Sequence, residues 1–195
     1  MKRLFDLISS ILVLVLCSPL FLIIALTIVV NSKGGVFYKQ ARVGKDAKIF
    51  YLYKFRSMKV GADKKGLITT NNKEDRITAV GRFLRKYKLD ELPQLINIIF
   101  NEMSVVGPRP EVEQYVNLYT EEQKKVLSVK PGLTDLASLA YINESEILSR
   151  VENPHQVYID EIMPKKLALN LEYIERQSFL LDLKIILKTL GKIIR

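Results

Sequence analysis

The chain has 195 residues, with 30 Lys and Arg against 21 Asp and Glu and a net charge of +9. A single cysteine and a single histidine exclude an intrachain disulfide, a cysteine metal cluster and any chemistry that needs two imidazoles. Catalysis, if present, would run on carboxylates, Lys and Arg, and the basic balance points to anionic partners: phospholipid, nucleotide or nucleic acid.

The run from Leu7 to Val30 carries no charge and is long enough to span a bilayer. Ser18-Pro19 interrupts it, because Pro19 lacks an N–H and its ring clashes with the Val15 carbonyl. Lys2 and Arg3 precede the run, and Lys33, Lys39 and Arg42 follow it. Basic residues favour the cytoplasmic side. A hairpin that dips in and returns satisfies both flanks; a straight span with a proline kink satisfies one. Leu7 to Ser18 as helix reaches about 18 Å at ~1.5 Å per residue, slightly more than half a hydrocarbon core of about 30 Å. Ser18 can bond back to a carbonyl of the preceding turn and soften the break. A cleaved secretory signal fits poorly, since no small-x-small site follows. An anionic leaflet is therefore the first partner to expect.

Asn31-Ser32-Lys33-Gly34-Gly35 reads as a linker. The expected division is residues 1–32 as the membrane element and 33–195 as the catalytic domain. Val36–Val43 and Ile49–Met58 read as strands of a hairpin turning through Gly44-Lys45-Asp46-Ala47. The period of two puts Phe50, Leu52, Lys54 and Arg56 on one face, and Lys54 and Arg56 are candidates to face a pyrophosphate. Gly61–Asp75 reads as a loop and Ile77–Lys88 as a short basic helix. Leu92–Phe100 has helical spacing, with Leu92, Leu95, Ile96 and Ile99 on one face. Val106–Pro110 is expected to be irregular, and Val112–Leu127 a helix ended by Lys130-Pro131-Gly132.

His155 stands beside Pro154 and reads as a surface residue. Pro164 suits a first helical position, with Lys165–Gln177 following. Ser178 can cap a last helix. In that helix Lys184, Lys188 and Lys192 form a basic stripe beside a wide apolar face. This suits a helix in a membrane interface, and equally a core helix with a solvated stripe.

Leu89-Asp90-Glu91-Leu92-Pro93-Gln94-Leu95 is the strongest site signal. Acids at a helix start also serve as caps, but here they are surrounded by Arg76, Arg82, Arg85, Lys86 and Lys88. Arg109 lies between Pro108 and Pro110, whose rings restrict its backbone and suit an arginine pre-positioned for phosphate. A carboxylate pair among fixed cations can bind Mg²⁺ or attack phosphorus.

Together these segments resemble the bacterial sugar transferases, the small monotopic phosphoglycosyl transferases. The matching motifs are Lys2-Arg3 with Phe5-Asp6, Ser18-Pro19, Val36-Phe37-Tyr38-Lys39-Gln40 with Arg42-Val43-Gly44, and Lys54-Phe55-Arg56-Ser57-Met58. They continue through Arg76-Ile77-Thr78, Gly81-Arg82-Phe83-Leu84-Arg85, Leu89 to Asn97, Met103 to Glu111, Val129-Lys130-Pro131-Gly132 and Leu181-Asp182-Leu183-Lys184-Ile185. The length resembles that of the minimal catalytic unit of the family.

The resemblance implies an α+β, mostly helical, membrane-associated monotopic protein with a re-entrant N-terminal helix hairpin and a small β-hairpin. It implies transfer of a sugar phosphate from a UDP-sugar to undecaprenyl phosphate with release of UMP, at the cytoplasmic face of the bacterial inner membrane. Asp90 is implied as nucleophile and Mg²⁺ ligand, with Glu91 as its essential partner, as metal ligand or proton acceptor. Lys54, Arg56 and Arg109 are implied to hold phosphate oxygens, with Asp182 as a further family acid. Membrane lipids are partners and nucleic acid is not; a homo-oligomer stays open. A direct ternary transfer and a non-enzymatic basic membrane protein are the alternatives. Two departures stand out. Many members read Ile-Thr-Gly-Leu-Ala-Gln-Val-Asn-Gly-Arg where this chain has Leu133 to Ile142, and Asn170 replaces an Asp.

Overall fold

The computed structural model describes residues 1–62 and 75–193. The N-terminal run forms two helices, α1 (Lys2–Leu16) and α2 (Ser18–Asn31), bent by 62° at Cys17. Pro19 lies in the first turn of α2, where its missing N–H costs little. Ser18 Oγ donates to the Val15 carbonyl at 2.8 Å, the bond back that its position allows. Among the described residues no single helix is long and apolar enough to cross a membrane; only the bent pair together has that length and composition. Leu4, Ile8, Leu12, Val15 and Leu16 of α1 and Leu22, Ile23, Leu26 and Val29 of α2 are exposed. Ile24 and Ile28 instead pack on Phe55 and Leu84.

The base of α1 is held by polar residues. Arg3 donates to the carbonyls of Ile98 and Ile99 at 2.6 and 3.0 Å, the unpaired, partly negative end of a helix. Asp6, 3 % exposed, accepts from Ser104 Oγ and the Val105 N–H. Lys2 donates to Asp182 and to the Val106 carbonyl.

Strands β1 (Phe37–Val43) and β2 (Ile49–Phe55) pair antiparallel, with Phe37 opposite Phe55 and Val43 opposite Ile49. Phe50 and Leu52 are buried and alternate with exposed Ile49 and Tyr51, the pattern of a sheet with one wet face. Most of the expected loop Gly61–Asp75 lies outside the described residues. Helix α3 (Ala79–Lys86) starts at Thr78, which accepts from the Gly81 N–H at 2.9 Å. A Cβ on Gly81 would lie 1.8 Å from the Ser57 carbonyl oxygen, so glycine lets α3 rest on the chain leaving β2.

A 3₁₀ turn over Leu89–Glu91 leads into α4 (Gln94–Ile99). Its buried face differs from the expected one: Leu95 is buried, but with Gln94, Asn97 and Ile98 rather than Ile96 and Ile99. The reason is polar. Asn97 accepts from the Tyr53 N–H and donates to the Tyr51 carbonyl and to Glu102, pinning α4 to β2. The Val106–Pro110 stretch begins in a strand: β3 (Ser104–Val106) pairs parallel with β4 (Gly132–Thr134). A Cβ on Gly132 would meet the Gly107 nitrogen at 2.1 Å, so the backbones can approach only through glycine.

The single helix expected over Val112–Leu127 is broken. It forms α5 (Glu113–Val116), α6 (Glu121–Lys124) and a 3₁₀ turn over Lys125–Ser128. Thr120 and Gln123 bond each other's backbone N–H in a capping box, which restarts the helix. Asp135 caps α7 (Leu136–Ala140). Next come α8 (Glu144–Leu148), α9 (Pro154–Val157) and a π-helical turn over Tyr158–Ile162. Helix α10 (Met163–Glu175) has Pro164 in its first turn, as expected. Ser178 Oγ accepts from the Leu181 N–H at the start of α11 (Phe179–Ile193). The largest core joins Val43, Val116, Tyr115, Tyr158, Ile162 and Leu167, each fully buried side chain contributing about 1.5–3 kcal/mol.

Candidate active site

Strand β2, the 3₁₀ turn before α4 and the loop after β3 converge on Glu91. Lys54 donates to Glu91 Oε1 at 3.0 Å. Arg109 reaches the same carboxylate with two nitrogens, Nη2 to Oε1 and Nη1 to Oε2, the second at 3.4 Å. The two-pronged geometry is the strong form of an arginine–carboxylate pair. Lys88, in the left-handed region at φ 56°, turns the chain sharply so that Asp90 and Glu91 both point inward.

Asp90 and Glu91 share this turn but not its partners. Asp90 is 5 % exposed, and its Oδ1 is buried without a hydrogen-bond partner among the described residues. Burial raises its carboxyl above the usual range, against the pull of Lys54. For Glu91 burial works the same way, but Arg109 and Lys54 outweigh it and hold the carboxyl well below that range. Glu91 in turn raises Arg109 above its ordinary value, while burial lowers Lys54. The pair is thus split: one carboxylate neutralised by two cations, the other left with a free oxygen.

The proline frame around Arg109 is bonded on both sides. The Pro108 carbonyl accepts from the Gly132 N–H at 2.9 Å, and the Pro110 carbonyl from Arg42 Nη1 at 3.0 Å. Of the remaining sequence candidates, Arg56 and Asp182 form their hydrogen bonds outside this cluster. Arg56 donates to the Ser32 carbonyl and hydroxyl at the end of α2, with Nε and Nη1 buried and without a partner among the described residues. A Cβ on Gly34, at φ +120°, would overlap Arg56 Nη1. Asp182 accepts from Lys2 at 2.5 Å and from Tyr173 Oη at 2.6 Å, so it ties α11 to α1 and α10. Ser18 and Pro19 stand at the helix bend. Sequence reasoning did not single out Arg42, Asn97 or Glu111 as site residues. Asn97 and Glu111, a polar residue in an apolar helix and an acid after Pro110, were the available signals.

Mg²⁺ commonly uses one or two carboxylates, with waters and substrate phosphates completing its shell. The free Oδ1 of Asp90 fits that pattern, whereas the oxygens of Glu91 are already engaged. Among the described residues no three Asp, Glu, His or Cys side chains gather as a metal site.

The profile of the bacterial sugar transferase family matches residues 1–195, and the chain belongs to that family. A UDP-glucose:undecaprenyl-phosphate glucose-1-phosphate transferase of Klebsiella pneumoniae is 41% identical over 199 residues, covering 98% of this chain and 39% of the relative. The uncharacterized sugar transferase EpsL of Bacillus subtilis (strain 168) is 40% identical over 196 residues, covering 100% of this chain and 87% of the relative. The exopolysaccharide production protein ExoY of Sinorhizobium fredii is 36% identical over 204 residues, covering 97% and 83%. The chain therefore spans well under half the length of the Klebsiella relative, and most of the other two.

Proposed function

We propose that the chain transfers a sugar 1-phosphate from a UDP-sugar to undecaprenyl phosphate and releases UMP. The observation that carries this reading is the divided acid pair: Asp90 with a free buried oxygen beside Glu91, which is clasped by Lys54 and Arg109. The Asp90 carboxylate attacks the phosphorus that bears the sugar, and the phosphoanhydride bond breaks so that UMP leaves. The acceptor's phosphate oxygen then attacks the same phosphorus and frees Asp90. Attack of one anion on another needs fixed cations, and positioning with electrostatics supplies most phosphoryl-transfer catalysis. Lys54 and Arg109 supply them. Mg²⁺, held by Asp90, would neutralise diphosphate charge when bound. UDP-glucose is the first donor to examine, since the Klebsiella relative is named for it.

The same reading places the bent pair α1–α2 in the cytoplasmic face of the inner membrane as a re-entrant hairpin, with both ends on one side. Its exposed apolar residues and the basic flanks support this. Exposed Leu180, Leu187 and Leu190 beside Lys184, Lys188 and Lys192 suit α11 to the lipid interface.

The test is UMP release from a panel of UDP-sugars with Mg²⁺, with and without undecaprenyl phosphate, beside Asp90→Asn. Lipid-dependent turnover is expected, with a stoichiometric burst without lipid that Asp90→Asn abolishes. Turnover without a burst would favour direct transfer, and no release from any donor would overturn the reading.

A further inference from the structure

We propose that Arg42 is a positioning residue for Arg109, acting through the Pro110 carbonyl and held by a Glu111–Tyr158 pair; the inference rests on the reading of Arg109 as a phosphate-binding cation. Arg42 comes from β1, on the strand next to Lys54. Its Nη1 donates to the Pro110 carbonyl at 3.0 Å and to Glu111 Oε2 at 3.3 Å. Its other nitrogens, Nε and Nη2, donate to Gln40 Oε1. The fork therefore grips the residue that follows Arg109 while its charge is met by the residue after that.

Glu111 is itself fixed from three directions. Oε1 accepts from Tyr158 Oη at 2.6 Å, and Oε2 accepts from Arg42 and from its neighbour's backbone, Val112 N–H, at 3.2 Å. The Glu111 carbonyl accepts from the Val43 N–H at 2.9 Å, so the strand that carries Arg42 is stitched to the loop by main chain as well. Tyr158 opens the π-helical turn, an irregularity that often accompanies functional sites. The ring of Tyr115 and the cation of Lys166 flank it.

The consequence is geometric. Pro108 and Pro110 fix the backbone torsions around Arg109 but not where the loop sits. Bonds to the two proline carbonyls, from Gly132 and from Arg42, set that position against β4 and β1. A lysine at position 42 keeps the charge but cannot reach Pro110, Glu111 and Gln40 in one plane. The Arg109 guanidinium would then lose its register with Glu91 and with a donor diphosphate.

The experiment is a double-mutant cycle on the full chain in detergent or lipid, with UDP-sugar and undecaprenyl phosphate as substrates. Arg42→Lys is expected to lower kcat/KM for the donor by about 10- to 100-fold. Placed on Arg109→Lys, it should add less than about 2-fold, because residues that act through one another are not additive. Tyr158→Phe, which removes only the hydroxyl donated to Glu111, should give a smaller loss with the same dependence on Arg109. It also serves where Arg42→Lys fails to fold. Losses that multiply in the double variants, or none in either single variant, would overturn the inference. A wild-type chain inert toward every UDP-sugar would instead remove the functional reading, and this inference with it.

Discussion

Lys2 and Asp182 stand 180 positions apart in sequence and meet at 2.5 Å. Lys2 and Tyr173 both hydrogen-bond Asp182 and the Val106 carbonyl. The first turn of α1 and the first turn of α11 thus close on the strand that leads to Arg109.

Asp182→Asn is expected to cost about 1–3 kcal/mol of stability. Asp182 is nearly fully buried, while Lys2 keeps a third of its side chain in contact with solvent. Denaturant unfolding in detergent measures the loss. An unchanged midpoint would mean that the pair contributes nothing.

Asp90→Asn is expected to abolish transfer and to stabilise the metal-free chain by about 0.5–2 kcal/mol, a common exchange at active sites. The carboxyl is raised by burial, so its ionised form is penalised in the fold at neutral pH. Thermal melts in the presence of a chelator test this. A lower melting point for Asp90→Asn would mean that the aspartate has a partner holding its charge.

Glu91→Gln should do the opposite to stability. The depressed Glu91 carboxyl contributes stability that is present above the ordinary carboxylate range and is lost as pH falls through the folded value. Removing the charge leaves Arg109 and Lys54 without their anion, at a cost of about 3 kcal/mol at pH 7. The gap between wild type and Glu91→Gln should narrow as pH is stepped below the ordinary carboxylate range. A gap independent of pH would contradict the pairing.

Gly132→Ala is expected to cost more than about 3 kcal/mol, since backbone rather than a flexible side chain fills the space. The loss should appear in unfolding and in donor binding alike, because the Gly132 N–H also holds the Pro108 carbonyl.

Cys17 is a natural probe of the proposed re-entrant hairpin, being the sole cysteine and sitting at the bend. In sealed vesicles it should resist an impermeant maleimide from either side and react once detergent is added. In a Cys17→Ser background, single cysteines before Met1 and at Lys33 should both label from the same side. Labelling from opposite sides would establish a span.

Several of these features were legible in the residues. Pro19 marks the break because proline cannot continue an α-helix without losing a bond. The β-hairpin declares itself by alternation around Gly44. Asp90, Glu91 and Arg109 stand out as acids and an arginine in rigid local settings, and the structure brings Glu91 and Arg109 together. The β3–β4 pair was not legible, because strands of three residues show no period and their pairing is long-range. The breaks between Val112 and Leu127 were masked by continuous helical spacing, although Thr120 and Gln123 spell a capping box. The inward turn of Asn97 depends on the open backbone of β2, which no local pattern contains. Arg42 reads in sequence as one of the basic residues that follow the apolar run; only the fold supplies Glu111 and Pro110.

The Lys2–Asp182 contact also sets an order in time. At about 5–20 residues per second, a ribosome needs roughly 9 to 36 seconds to travel from Lys2 to Asp182. Arg3 and Asp6 meet their partners, the Ile98 and Ile99 carbonyls and the Ser104 and Val105 donors, roughly halfway through that interval, whereas Lys2 waits for Asp182 until its end. The polar base of α1 is therefore completed in stages, and α11, the last helix made, is the one that closes it.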